Sequence, residues 1–353
     1  MRAAVFHGPG DVRIESMADP AAPNPAELVV EVIRASICGT DASEYAHGPH
    51  MIPLHERHPG SGHVGPTVLG HEFVGRVISV GDRVQGFSVG QRVVPGAGVS
   101  CGECGWCRAG RTNLCARYYT LGLSANGGLA EAASTPAGIC CAVPEECSDD
   151  AAAMAQPLAV ALHAIKRGRV EPTETLVVIG VGGIGALIVA GAAGRGLKEI
   201  IAVDVDERRL VNARELGAAD TINPRGQDAV DAVRNLTSGD GAHVVIEASG
   251  ARAAPGDAVQ MVQRGGRVVI LGLQADRVEL DLFDVALREI EITSAVAHVC
   301  AEDLPEALDI LARTDIAEKI VDGVIPLERL VEDGLVPLAE RRAAGKILVD
   351  PGR

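Results

Sequence analysis

The chain has 353 residues, 47% of them hydrophobic and 22% charged, a globular composition long enough for two domains. Its formal net charge of −15 excludes a nucleic-acid-binding surface, which needs a basic stripe. Aromatic residues supply only 2%, so the core must rest on Val, Ile, Leu and Ala.

Residues 1–6 lead straight into His7-Gly8-Pro9-Gly10, with no room for the apolar core of a signal peptide. Nine cysteines in such a chain suit metal binding or catalysis in a reducing cytoplasm, not a disulfide framework. The first 150 residues read as β-rich and turn-punctuated, with strands expected over residues 28–33, 75–80 and 91–95. Two short polar segments stand out there: Cys38-Gly39-Thr40-Asp41, and Gly70-His71-Glu72 with Gly75 after it. Between them, residues 46–66 are rich in Gly, Pro and His. His47, His50, His55, His58 and His63 are irregularly spaced for a metal site, and the stretch reads as a loop that shapes substrate access.

Cys101, Cys104, Cys107 and Cys115 follow at C-x2-C-x2-C-x7-C spacing. Four thiolates so placed can wrap one tetrahedral ion, with Gly102 and Gly105 easing the tight turns. An iron–sulfur cluster is the competing reading. A site closed by four sulfurs, with no Pro after the last Cys, favours a structural zinc. Cys140, Cys141, Cys147 and Cys300 lack metal spacing and read as ordinary buried thiols.

From Ala151 the texture changes to apolar strands alternating with amphipathic helices. Strands are expected over residues 175–179, 199–203, 244–247 and 267–271, with helices over 207–216 and 228–236 among them. That alternation implies a parallel, doubly wound sheet. Residues 176–194 carry no charge, but their six glycines divide them into strand, turn and helix, which is not a membrane span. The turn is Gly180-Val181-Gly182-Gly183-Ile184-Gly185, a G-x-G-x-x-G between strand and helix. Its glycines permit a tight turn, approach of a pyrophosphate and close helix–strand packing, while the helix N-terminus offers free N–H groups to phosphates. The next strand ends at Asp204, nineteen residues past Gly185. A carboxylate there suits the two ribose hydroxyls of NAD and repels the 2′-phosphate of NADP. Arg208 and Arg209 are the features that could instead serve that phosphate. After residue 293 the chain is expected to return to the first domain, ending in a strand over 346–349.

Taken in this order, these motifs resemble the zinc-dependent medium-chain alcohol dehydrogenases over essentially the whole chain, nearest to the polyol and butanediol dehydrogenase branch. The resemblance implies a GroES-like, β-rich catalytic domain over residues 1–155, a Rossmann domain over 156–293, and a C-terminal return over 294–353. It implies a catalytic zinc on Cys38 and His71, with Glu72 either the third ligand or a carboxylate behind the ligands. Thr40 matches the hydroxyl that receives the alcohol proton. Asp204 and Arg209 match the adenosine-ribose contacts, while Leu271-Gly272-Leu273 and the segment from Val296 to His298 match the backbone walls of the nicotinamide pocket. The implied reaction passes a hydride between a secondary alcohol and NAD, in a homodimer or homotetramer holding two zinc ions per chain. Two positions depart from the pattern: Ser43 stands where relatives have a relay histidine, and Gln156 where they have a glutamate. Two other readings stay open, a dehydrogenase of a sugar, cyclic or terpenoid alcohol and a catalytically silent NAD-binding protein. Intact Cys38, Thr40, His71 and Glu72 argue against the silent one.

Overall fold

The computed structural model describes residues 1–274, 276–343 and 345–353. They form two compact units, residues 1–159 with 298–353, and residues 160–297. Helix Ala155–Arg167 runs from one unit into the other.

The first unit is built on a mainly antiparallel sheet. Its spatial order is Cys140–Ala142, Arg92–Pro95, Glu72–Val80, Glu27–Ser36, Lys346–Asp350 and Val321–Pro326, and Ala132–Pro136 also pairs with Glu27–Ser36. Leu28, Val30 and Val32 of the central strand join a core shared with Phe73, Val77, Val93, Leu129, Ile347 and Val349, and Val29 between them is buried on the other face. Register decides what meets at one end of this sheet. Ser36 lies opposite Glu72 on one side and Leu348 on the other. Segments far apart in sequence therefore converge just beyond Ser36: Cys38, Glu72 and the start of the last strand at Lys346.

The second unit holds six parallel strands: β1 (Leu176–Ile179), β2 (Ile200–Val203), β3 (Asp220–Ile222), β4 (Ala242–Glu247), β5 (Val262–Ile270) and β6 (Glu291–Ser294). Their order is β3-β2-β1-β4-β5-β6, the doubly wound arrangement in which direction reverses between β1 and β4. Leu176, Val177, Val178, Ile200, Val244, Val245 and Ile246 are all buried, as strands covered by helices on both faces must be. The uncharged stretch 176–194 divides into β1 and helix Gly183–Gly194. No helix of the described residues is long and apolar enough to cross a membrane.

Candidate active site and metal centres

Cys38 directly follows buried Ile37 and caps helix Gly39–His47. The Asp41 carboxylate organises this corner. Its Oδ2 accepts the backbone N–H of Cys38 at 2.9 Å, and its Oδ1 lies 3.5 Å from His71 Nδ1. Gly70 makes the approach of His71 possible: its φ is +95°, and a Cβ there would lie 2.6 Å from the backbone nitrogen of Leu129. Glu72 then opens its strand. One donor atom each from Cys38, His71 and Glu72 lie within 4.8 Å of one another.

A thiolate, an imidazole and a carboxylate are the donors a zinc ion takes, and three protein ligands leave a coordination position open for chemistry. His71 Nδ1 and Asp41 Oδ1 are buried without a hydrogen-bond partner. A proton on Nδ1 facing Asp41 leaves Nε2 for a metal, the carboxylate–histidine–metal arrangement. Burial alone depresses the His71 imidazole, but the charges of Asp41 and then Cys38 outweigh it and pull it well above its ordinary range. Cys38, Asp41 and Glu72 together make this corner one that favours positive charge. Thr40 Oγ1 lies 3.7 Å from Cys38 Sγ, which places a hydroxyl beside the donor set.

Sequence reasoning missed Lys346. This buried ammonium sits 2.5 Å from Glu72 Oε2 and donates to the carbonyl of Ile37 at 3.0 Å. Burial lowers its pKa, yet the Glu72 carboxylate more than compensates and holds it above the usual lysine range. Glu72 thus has Oε2 engaged by a cation, while one of its carboxylate oxygens lies within 4.8 Å of the Cys38 and His71 donor atoms. Of the two departures from the family pattern, Gln156 is buried, in the first turn of helix Ala155–Arg167, and Ser43 is exposed on helix Gly39–His47.

The second donor group is Cys101, Cys104, Cys107 and Cys115. The sulfurs of Cys101 and Cys107 are 3.9 Å apart and those of Cys104 and Cys107 3.5 Å. Zn–S bonds of about 2.3 Å place tetrahedral sulfurs roughly 3.8 Å apart, so the lobe fits a single ion better than a larger cluster. Backbone N–H groups of Glu103 and then Cys104 hold the Cys101 thiol down at about 6, which favours the thiolate a metal requires. All nine cysteines are free. Cys147 is buried, and Cys140, Cys141 and Cys300 are partly buried.

In the second unit, Gly182 caps helix Gly183–Gly194, so Gly183, Ile184 and Gly185 form its first turn. A Cβ on Gly185 would lie 1.8 Å from the carbonyl oxygen of Gly180, which is the close packing the third glycine of the motif serves. Asp204 ends beside this turn. Its Oδ2 accepts the Val181 N–H and its Oδ1 the Asp206 N–H, both at 2.9 Å, and Arg209 Nη1 lies 3.7 Å from Oδ2. Leu271 and Gly272 both donate backbone N–H groups to the carbonyl of Glu247 at 2.9 Å. Leu273 and Val296 are exposed.

Residues 24–145 match the family model of the alcohol dehydrogenase GroES-like domain, and residues 183–313 that of zinc-binding dehydrogenases. The chain is 31% identical to a sorbitol dehydrogenase of Bacillus subtilis (strain 168), covering 94% of this chain and 89% of that one. It is equally identical, at 31%, to the (R,R)-butanediol dehydrogenase of the same organism, over 99% of this chain and all of the relative. Among solved structures, the 2R,3R-butanediol dehydrogenase of Bacillus subtilis superposes with a TM-score of 0.92 at 30% identity, covering 99% of both chains. The alcohol dehydrogenase of Thermus sp. ATN1 gives 0.89 at 30% identity, with the same coverage.

Proposed function

The chain belongs to the zinc-type medium-chain alcohol dehydrogenases, and we propose that within that family it oxidises a secondary alcohol of the diol or polyol type to the ketone, with NAD as hydride acceptor. The observation that carries this reading is the convergence of Cys38, His71 and Glu72 with the Thr40 hydroxyl beside them. When bound, zinc supplies a Lewis acid that acidifies a hydroxyl, and NAD supplies the hydride acceptor. The protein's own groups do the rest. Cys38, His71 and Glu72 would hold the metal. Asp41 orients two of those ligands through the Cys38 N–H and the His71 ring. Thr40 Oγ1 takes the alcohol proton. Asp204 accepts from the adenosine ribose, with Arg209 beside it, and the 180–185 turn receives the pyrophosphate on its free N–H groups. The Cys101–Cys104–Cys107–Cys115 lobe is closed by four sulfurs and serves structure alone.

Diol or polyol chemistry is supported by the sorbitol and butanediol dehydrogenases among the relatives. The reducing cytoplasm as its compartment is supported by nine free cysteines, five of them needed as thiolates. A homo-oligomer, dimer or tetramer, is supported by exposed Leu282, Phe283 and Leu287 on one short helix. The test is NAD reduction across a panel of 2,3-butanediol, sorbitol, cyclic and terpenoid alcohols, for the native chain and for Cys38→Ala. Diols or polyols should be turned over, and Cys38→Ala should abolish turnover while NAD binding survives. Substantial activity in Cys38→Ala, or turnover of cyclic substrates alone, would overturn the reading.

A further inference from the structure

Glu247 closes β4, next to the point where the sheet reverses direction between β1 and β4. In doubly wound sheets the ligand lies outside the carboxyl ends of the strands at that point. The side chain is fully buried, at 0% exposure. Its Oε1 accepts the Ser249 N–H at 2.7 Å, the Ser249 hydroxyl at 2.6 Å and the Gly250 N–H at 2.9 Å, and its Oε2 accepts Gln274 Nε2 at 3.2 Å. Every one of these partners is a neutral donor, so both carboxylate oxygens act as acceptors. Asp204, at the end of β2, has Arg209 3.7 Å away to offset it. Glu247 has no such cation among the described residues. Burying a carboxylate without a counter-charge is costly. A glutamine of the same shape keeps one accepting oxygen for Ser249 and Gly250 but turns an NH2 donor toward Gln274 Nε2, so two accepting oxygens are what this position supplies.

We propose that Glu247 is a fixed negative charge that makes this site prefer the oxidised, cationic nicotinamide over the reduced, neutral one. The inference rests on the NAD reading above and adds a direction to it. The oxidised ring carries a positive charge that hydride addition removes, so a nearby buried anion interacts with the two forms unequally. A site that holds NADH less firmly than NAD⁺ releases the reduced product and favours alcohol oxidation. The same carboxylate ties the loop 249–250 to the loop that begins at Leu271, so the charge and the pocket wall are held by one side chain.

The test uses the full-length, zinc-loaded protein and measures dissociation constants for NAD⁺ and NADH separately, by calorimetry and by nicotinamide fluorescence, with no turnover needed. Glu247→Gln removes the charge and keeps the shape. Gln274→Lys leaves Glu247 in place and sets a cation against Oε2, which keeps the inference testable should Glu247→Gln fold poorly. Both variants should move the NAD⁺-to-NADH affinity ratio toward NADH, by roughly tenfold for one unit charge removed from a low-dielectric site. An equal loss of both affinities would make Glu247 a loop brace and overturn the inference, as would an unchanged ratio. A native protein that binds neither form would overturn the NAD reading itself, and this inference with it.

Discussion

Charge around the three candidate ligands is closely balanced. Cys38, Asp41 and Glu72 supply three negative charges and Lys346 one positive, so a divalent ion with neutral His71 leaves the set uncharged. Gln156 adds nothing to that sum, whereas a glutamate there would make it one unit negative. Gln156→Glu should therefore raise the pKa that governs alcohol oxidation, by about one unit, because a neighbouring anion disfavours ionisation of the substrate hydroxyl. The measurement is the pH dependence of oxidation in both proteins, and an unmoved pKa would remove position 156 from the metal's surroundings. Lys346 is tested through stability. Lys346→Met strands the Glu72 carboxylate in the interior, and removing one partner of a buried pair costs about 3–5 kcal/mol. Metal-free protein should lose that much in denaturant unfolding. Zinc-loaded protein should lose less, because the ion supplies the missing positive charge. Equal losses would place Glu72 beyond the metal's reach.

The lobe from Cys101 to Cys115 has little besides sulfur to hold it. Its helices are Gly105–Arg108 and the single turn Thr112–Leu114, far too short to persist alone, and Trp106 between two cysteines is exposed. Metal binding is then the folding energy of this element. Cys104→Ala should drop the zinc content from two per chain to one and shift the emission of Trp106, the chain's single tryptophan. An unchanged emission with one zinc lost would mean the lobe folds without its ion. At the strand–turn–helix element, Asp204→Ala should raise the NADP-to-NAD preference. It should also weaken both cofactors, since the carboxylate holds the Val181 N–H of the glycine turn; an unchanged preference in binding assays would mean Asp204 does not face the ribose. These two elements were readable because their residues lie close together in sequence, so spacing alone carries the geometry. The parallel sheet was readable from alternation, since buried strands and amphipathic helices write different periods. The hairpin Arg2–Gly8 with Asp11–Ser16 was not, and neither was Val321–Pro326, where Asp322, Gly323 and Pro326 break the apolar run. Lys346 was hidden for a different reason. A lysine opening a strand looks like a solvated end, and its partner Glu72 lies 274 residues away. Asp41 sat in plain view, yet its hold on the His71 ring exists only once the sheet register has brought residue 71 beside it.

For the whole molecule, the question is how the apolar surface of the second unit is tolerated by a chain of net charge −15. Leu282, Phe283 and Leu287 are all exposed on one short helix, with Phe283 at 73% and Leu282 at 68%. Scattered exposed apolar residues need no explanation, but a run of this density marks a contact surface. β6 follows that helix at the edge of the six-stranded sheet. A second copy of the chain is the occupant in the proposed homo-oligomer, in which a two-fold contact would bring the exposed helix Leu282–Leu287 of each copy together. Like charges repel at long range, so such a contact must be carried by apolar burial rather than by attraction. Its stability should rise with salt, which screens the repulsion while leaving burial intact. Phe283→Asp with Leu287→Asp places two carboxylates in that contact. A buried aromatic anchor commonly accounts for about 2 kcal/mol or more of an interface, so micromolar protein should shift to a smaller species in light scattering. The zinc content and NAD affinity of each chain should be unchanged. If the double variant keeps the native mass at low and high salt alike, the patch is not where the copies meet.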